Sequence, residues 1–109
     1  MNNIDQIIII SDPRQRTPDE EFEAYDMSIG ELLDITNEFG DSYFMVGSTV
    51  AIYTKSGTHF TAVKIDEGKW EFAYELYDEY TIIEHKGTLY EALDKIEKTD
   101  KDIRYSLRR

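Results

Sequence analysis

Residues 59–85 read HFTAVKIDEGKWEFAYELYDEYTIIEH, and three strands joined by two tight turns is the arrangement that suits them. In Trp70–Tyr77 the side chains divide cleanly. Trp70, Phe72, Tyr74 and Leu76 fall on one side, and Glu71, Ala73, Glu75 and Tyr77 on the other, because successive strand side chains point to opposite faces. Asp66-Glu67-Gly68-Lys69 and Asp78-Glu79 supply the polar residues at which the chain reverses. His59–Ile65, Trp70–Tyr77 and Tyr80–His85 therefore form an antiparallel meander. Upstream, Tyr43–Tyr53 is rich in strand formers and is interrupted at Gly47, where a bulge or a turn is expected. Lys55-Ser56-Gly57-Thr58 then turns the chain into the strand that begins at His59.

The flanks add helices and one more strand. Asn3–Ser11 (NIDQIIIIS) is a β-branched run ended by Asp12-Pro13, which predicts a largely buried first strand. Thr17-Pro18-Asp19-Glu20 fits either the capped start of a short helix or an acidic loop. Ser28-Ile29-Gly30-Glu31 is a capping box, and Gly40 is a stop signal, so a helix spans about 29–39. A second box, Thr88-Leu89-Tyr90-Glu91, opens a helix whose Leu89, Ala92, Leu93 and Ile96 share one face. Beyond it Ile103, Tyr105 and Leu107 alternate, as in a short edge strand. The expected fold is α+β: an antiparallel sheet of about four to five strands covered by two helices, in a single domain spanning residues 1–109.

Charge narrows the function. The net charge is −11, with 11 acids against two arginines in residues 1–44 and seven against one lysine in residues 66–84, whereas residues 45–65 carry no acid. Duplex affinity rests on lysine and arginine neutralising phosphates, so no direct nucleic-acid binding is expected. A face this acidic fits a basic protein partner, such as a nucleic-acid-binding nuclease. Apolar residues make up 40% of the chain, enough for a packed core. No stretch reads as a secretory signal or membrane span, and there is no cysteine, so a cytoplasmic protein without membrane association is expected.

Chemistry-bearing patterns are scarce. His59 and His85 have neither H-x-x-x-H nor HExxH spacing, and strand residues with no motif partner are the simpler reading of both. Asp19-Glu20-Glu21-Phe22-Glu23 lacks the alternation and central glycine of a calcium loop. Phosphate-cradle and nucleophile-elbow patterns are absent. No enzyme activity, metal or cofactor is expected. The candidate binding residues are instead two acidic blocks. Glu71, Glu75, Asp78 and Glu79, with Tyr77 beside them, lie on the sheet, and Asp19, Glu20, Glu21 and Glu23 lie near the N-terminus. Carboxylates two residues apart on a strand are ~6.6 Å apart, close to two steps along one DNA strand.

Small size, strong acidity, no cysteine, no catalytic motif and acids on short strands together resemble phage- and plasmid-borne inhibitors, namely anti-CRISPR proteins and anti-restriction DNA mimics. The resemblance lies in bulk character and supplies no family motif. It implies an acidic face occupying the basic site where a CRISPR nuclease reads its PAM duplex. The same patch suits an immunity protein that plugs a basic toxin nuclease. A small-ligand or protein-interaction domain is the third reading.

Overall fold

The computed structural model describes residues 3–11 and 24–107. They form β1 (Ile4–Ser11), β2 (Tyr25–Met27), α1 (Ile29–Phe39), β3 (Thr49–Thr54), β4 (His59–Asp66), β5 (Lys69–Leu76), β6 (Glu79–Lys86) and α2 (Leu89–Leu107), with a 3-10 turn at Gly40–Tyr43. The strands make one sheet in the order β2-β1-β3-β4-β5-β6, antiparallel throughout. The α+β expectation holds, with six strands rather than four to five. The added strand is β2, three residues that follow an acidic stretch and are too short to show a period. The helix or loop expected at Thr17-Pro18-Asp19-Glu20 lies outside the described residues.

Cross-strand register explains the core. Ile9, Val50, Ala62, Phe72 and Ile83 form one row across five strands, and Ile7, Ile52 and Phe60 form another. These rows pack with Leu32 of α1 and with Leu89, Leu93 and Ile96 of α2 in a single core. Phe60, Trp70 and Phe72 are fully buried, and a Phe72→Ala cavity would cost about 3–5 kcal/mol. Both helices thus cover the same face of the sheet. On the opposite face, the row Ile8, Ala51, Thr61, Ala73 and Ile82 has no helix over it among the described residues.

Both capping boxes form. Ser28 Oγ accepts from the Glu31 backbone N–H at 3.1 Å, and Thr88 Oγ1 accepts from that of Glu91 at 3.2 Å. Glu91 reaches back to the Thr88 N–H at 3.2 Å. The span Tyr43–Tyr53, read as strand-rich, divides at Gly47 (φ 97°), which turns the chain so that regular pairing starts at Thr49.

Two expectations are overturned: the chain reverses at Tyr77-Asp78, one residue before the expected Asp78-Glu79, and the C-terminal segment is not a strand. Ile103, Tyr105 and Leu107 belong to α2, not to an edge strand. Positions 89, 93, 96, 100, 103 and 107 repeat at helical spacing, but Asp100 interrupts the apolar series. That aspartate is fully buried. Its carboxylate accepts two contacts from Ser56 Oγ at 2.8 and 3.0 Å and lies 3.5 Å from Arg104 Nε. A polar residue therefore fills a core position, supplied with partners from the β3–β4 turn. Among the described residues no helix is long and apolar enough to cross a membrane.

Candidate acidic interface

Strand β5 ends in a tight turn on each side, and the two turns are built differently. At its start the pair Asp66↔Lys69 closes a turn whose Gly68 takes the left-handed conformation (φ 65°). Asp41 holds this end together. Its carboxylate accepts from Trp70 Nε1 at 2.8 Å and from the Gly68 N–H at 3.0 Å, and lies 2.9 Å from Lys64 Nζ. Lys64 is fully buried. It also donates to the carbonyls of Asp41 and Phe44, at 2.8 and 2.7 Å, and to Glu67 at 3.3 Å. A buried ammonium needs this number of partners, because desolvating it otherwise costs several kcal/mol. Asp66, for its part, accepts the Glu67 N–H at 2.8 Å. Asp41 is thus the acid that holds this end, while Glu67 adds one exposed contact to Lys64 and Asp66 a local bond within the turn.

At the far end Leu76↔Glu79 closes a two-residue turn made of Tyr77 (φ 51°) and Asp78 (φ 64°). Two consecutive positive φ values define the type I′ hairpin turn, which favours Asn-Gly. Aspartate tolerates the left-handed region. For tyrosine it costs roughly 1–2 kcal/mol. Tyr77 is 79% exposed and Tyr80 67%. Glu75, Asp78 and Glu79 are exposed, and none of the three carboxylates makes a hydrogen bond or ion pair among the described residues. A cleft of ≈ 550 Å³ opens beside this tip, lined among others by Gly57, His59, Thr61, Glu75, Tyr80 and Ile103.

The structure brings Glu75, Tyr77, Asp78 and Glu79 together at the tip. Glu71 stands apart. It lies on the helix-free face, separated from Glu75 by Ala73, so the two acids are four residues apart, ~13 Å. It sits directly opposite Glu84, and the next pair along is Lys69 opposite Lys86. Directly opposed like charges destabilise a sheet, while each lysine lies diagonal to a glutamate of the other strand. The acidic track is therefore broken by bases at its base and unbroken at its tip. Tyr74 faces the core, with its ring 5.4 Å from that of Phe60. Asp19, Glu20, Glu21 and Glu23 lie outside the described residues. Tyr80, which sequence reading did not place among the site residues, joins the cleft because its position in the alternation sets it opposite Glu75.

Neither histidine joins a cluster. His59 is exposed and stacks on Tyr53, with centroids 4.6 Å apart. His85 is buried against the core, opposite Trp70, and its Nε2 has no hydrogen-bond partner among the described residues. Burial, reinforced by the nearby Lys95 charge, lowers its pKa below the ordinary histidine value, against smaller opposing effects of Thr88, Glu91 and Asp41. At the other sheet edge Tyr25 donates to Glu31 at 2.7 Å, which raises the phenol's pKa. Among the described residues no group of three or more His, Cys, Asp or Glu side chains is arranged to hold a metal ion. No protein-family model matches the chain, and neither does any curated protein or solved structure.

Proposed function

We propose that this chain is a non-enzymatic inhibitor that inserts the tip of its β5–β6 hairpin into the basic site of a nucleic-acid-binding protein. One observation carries the reading. The tip holds Tyr77 in a backbone conformation that tyrosine disfavours, exposes it almost fully, and surrounds it with three carboxylates that have no partner among the described residues. Strain held at an exposed site without benefit to the fold is a signature of binding. An exposed tyrosine next to carboxylates suits arginine and lysine: the ring supplies contact area and a face for a cation, and the acids supply charge. The cleft beside Glu75 and Tyr80 has room for one long basic side chain. In this reading Glu71 and Glu84 form a secondary contact, and competition with DNA arises because the acids occupy phosphate positions.

The test is capture from a host lysate. Immobilised protein should retain a basic, nucleic-acid-binding protein that duplex DNA displaces, and Glu75→Lys/Glu79→Lys should abolish retention. His59→Ala, which alters the wall of the cleft but removes no carboxylate, should weaken retention less than the charge reversals. A retained partner that ignores both DNA and the charge reversals would sink the proposal.

A further inference from the structure

The two edges of the sheet are unequal. One edge is β2, three residues long; the other is β6, eight residues, paired with β5 without a register shift. Natural edges of that length are guarded by proline, a bulge, charged side chains or a covering group, because unpaired backbone groups recruit other strands; the charges of β6, Glu79, Glu84 and Lys86, lie toward its two ends and leave Tyr80–Ile83 without one. Within Glu79–Lys86 (EYTIIEHK) there is no proline and no bulge, and Tyr80 and Ile82 are 67% and 61% exposed. The Glu84 carbonyl points away from β5 and accepts from Lys95 Nζ at 2.9 Å, a side-chain contact that a pairing strand displaces. In an antiparallel ladder the outward-facing residues alternate, so Tyr80, Ile82 and Glu84 turn their N–H and C=O groups away from the sheet.

We infer that β6 pairs antiparallel with β6 of a second copy of this chain, about a two-fold axis at Ile82, joining two sheets into one. The sequence of the strand is self-complementary in that register. Ile82 meets Ile82, Tyr80 meets Glu84, Thr81 meets Ile83, and Lys86 meets Asp78 of the other copy. The most exposed aliphatic residue lies on its own copy, and the one lysine of the strand lies against an acid. Because the register sum is even, the outward faces of the two copies continue each other and no core residue is turned to solvent. The strand itself carries two acids against one lysine, so the edge is nearly neutral in a chain of −11. It is the part of the surface that a like-charged copy can approach. Screening the remaining repulsion should strengthen the pairing. This dependence is opposite in sign to that expected for a basic partner, so failure of one reading leaves the other standing.

Sedimentation of the full chain at low and high sodium chloride tests it, together with single-cysteine variants, which are informative because the chain has no cysteine. Dimer should form and increase with salt. Oxidised Ile82→Cys should cross-link into dimers, since facing Cα atoms in that pair are ~5.5 Å apart, within disulfide range. Tyr80→Cys should not, because its counterpart is four residues out of register. Ile82→Pro should be monomeric with an unchanged far-UV spectrum, as its N–H is not used by β5. Should the proline variant fail to fold, the cysteine pair still decides. A monomer at every salt concentration, equal cross-linking at both positions, or association only with a different protein would overturn the inference.

Discussion

The two ends of β5 carry similar acidity and put it to opposite uses. At the Gly68 end, Asp41 and Glu67 surround the buried Lys64, and Asp41 also ties down Trp70 and the Gly68 backbone. At the Tyr77 end, Glu75, Asp78 and Glu79 pair with nothing among the described residues, and the turn between them lacks the glycine its conformation favours. Net charge alone is therefore a poor guide to function here. What separates a structural acid from an available one is whether a donor has been placed against it.

The comparison is sharpest at Asp41. Asp41→Ala leaves Lys64 buried without its main counter-ion and should cost about 3–5 kcal/mol, read as a lower urea midpoint. A loss under 1 kcal/mol would mean that the two ends do not differ as described. Gly68→Ala comes next. A Cβ there meets nothing within 4 Å, so only the left-handed backbone opposes it, and the expected loss is about 1–2 kcal/mol. A gentler effect is pH dependence at the same end. His85 has a lowered folded-state pKa, so the unfolded chain takes up the proton first as pH falls. Stability should be flat with respect to this group above about pH 6.5, decline below it, and level off beneath the folded-state pKa. His85→Gln should remove that part of the decline, measured by thermal unfolding from neutral to mildly acidic pH. An unchanged profile would show that His85 is not the group responsible. Smallest are the tip acids. Glu75→Gln and Glu79→Gln should each move stability by no more than about 0.5 kcal/mol, while slowing association with the captured partner and making its rate less sensitive to salt. A larger stability change would reveal that the tip acids hold the fold after all.

Much of this contrast was legible in the residues, and some was hidden for definite reasons. The alternation around Trp70 and both capping boxes were readable because each is a short-range pattern with a local cause. Lys64 was readable in principle: it follows Phe60 and Ala62 at a spacing of two, so the period sends it into the core, and a buried lysine requires a distant acid. Nothing in sequence identifies that acid as Asp41, 23 residues away. Asp100 hid the last turns of α2 by placing a carboxylate where the heptad calls for an apolar residue, with its partner Ser56 found 44 residues earlier. At the candidate site, Glu71 and the tip acids looked alike in the sequence. They separate only when register sets Glu71 against Glu84 and next to the Lys69–Lys86 pair.

The claim that the tip is kept for binding rather than folding is tested most directly by one double replacement, Tyr77→Asn/Asp78→Gly, which installs the residues a type I′ turn prefers. Its thermal midpoint and its retention of the partner should be measured side by side. The variant should be more stable by about 1–2 kcal/mol, from relief of the left-handed tyrosine, and should clearly lose retention. A variant that gains stability and holds its partner as tightly as the natural chain would contradict the claim.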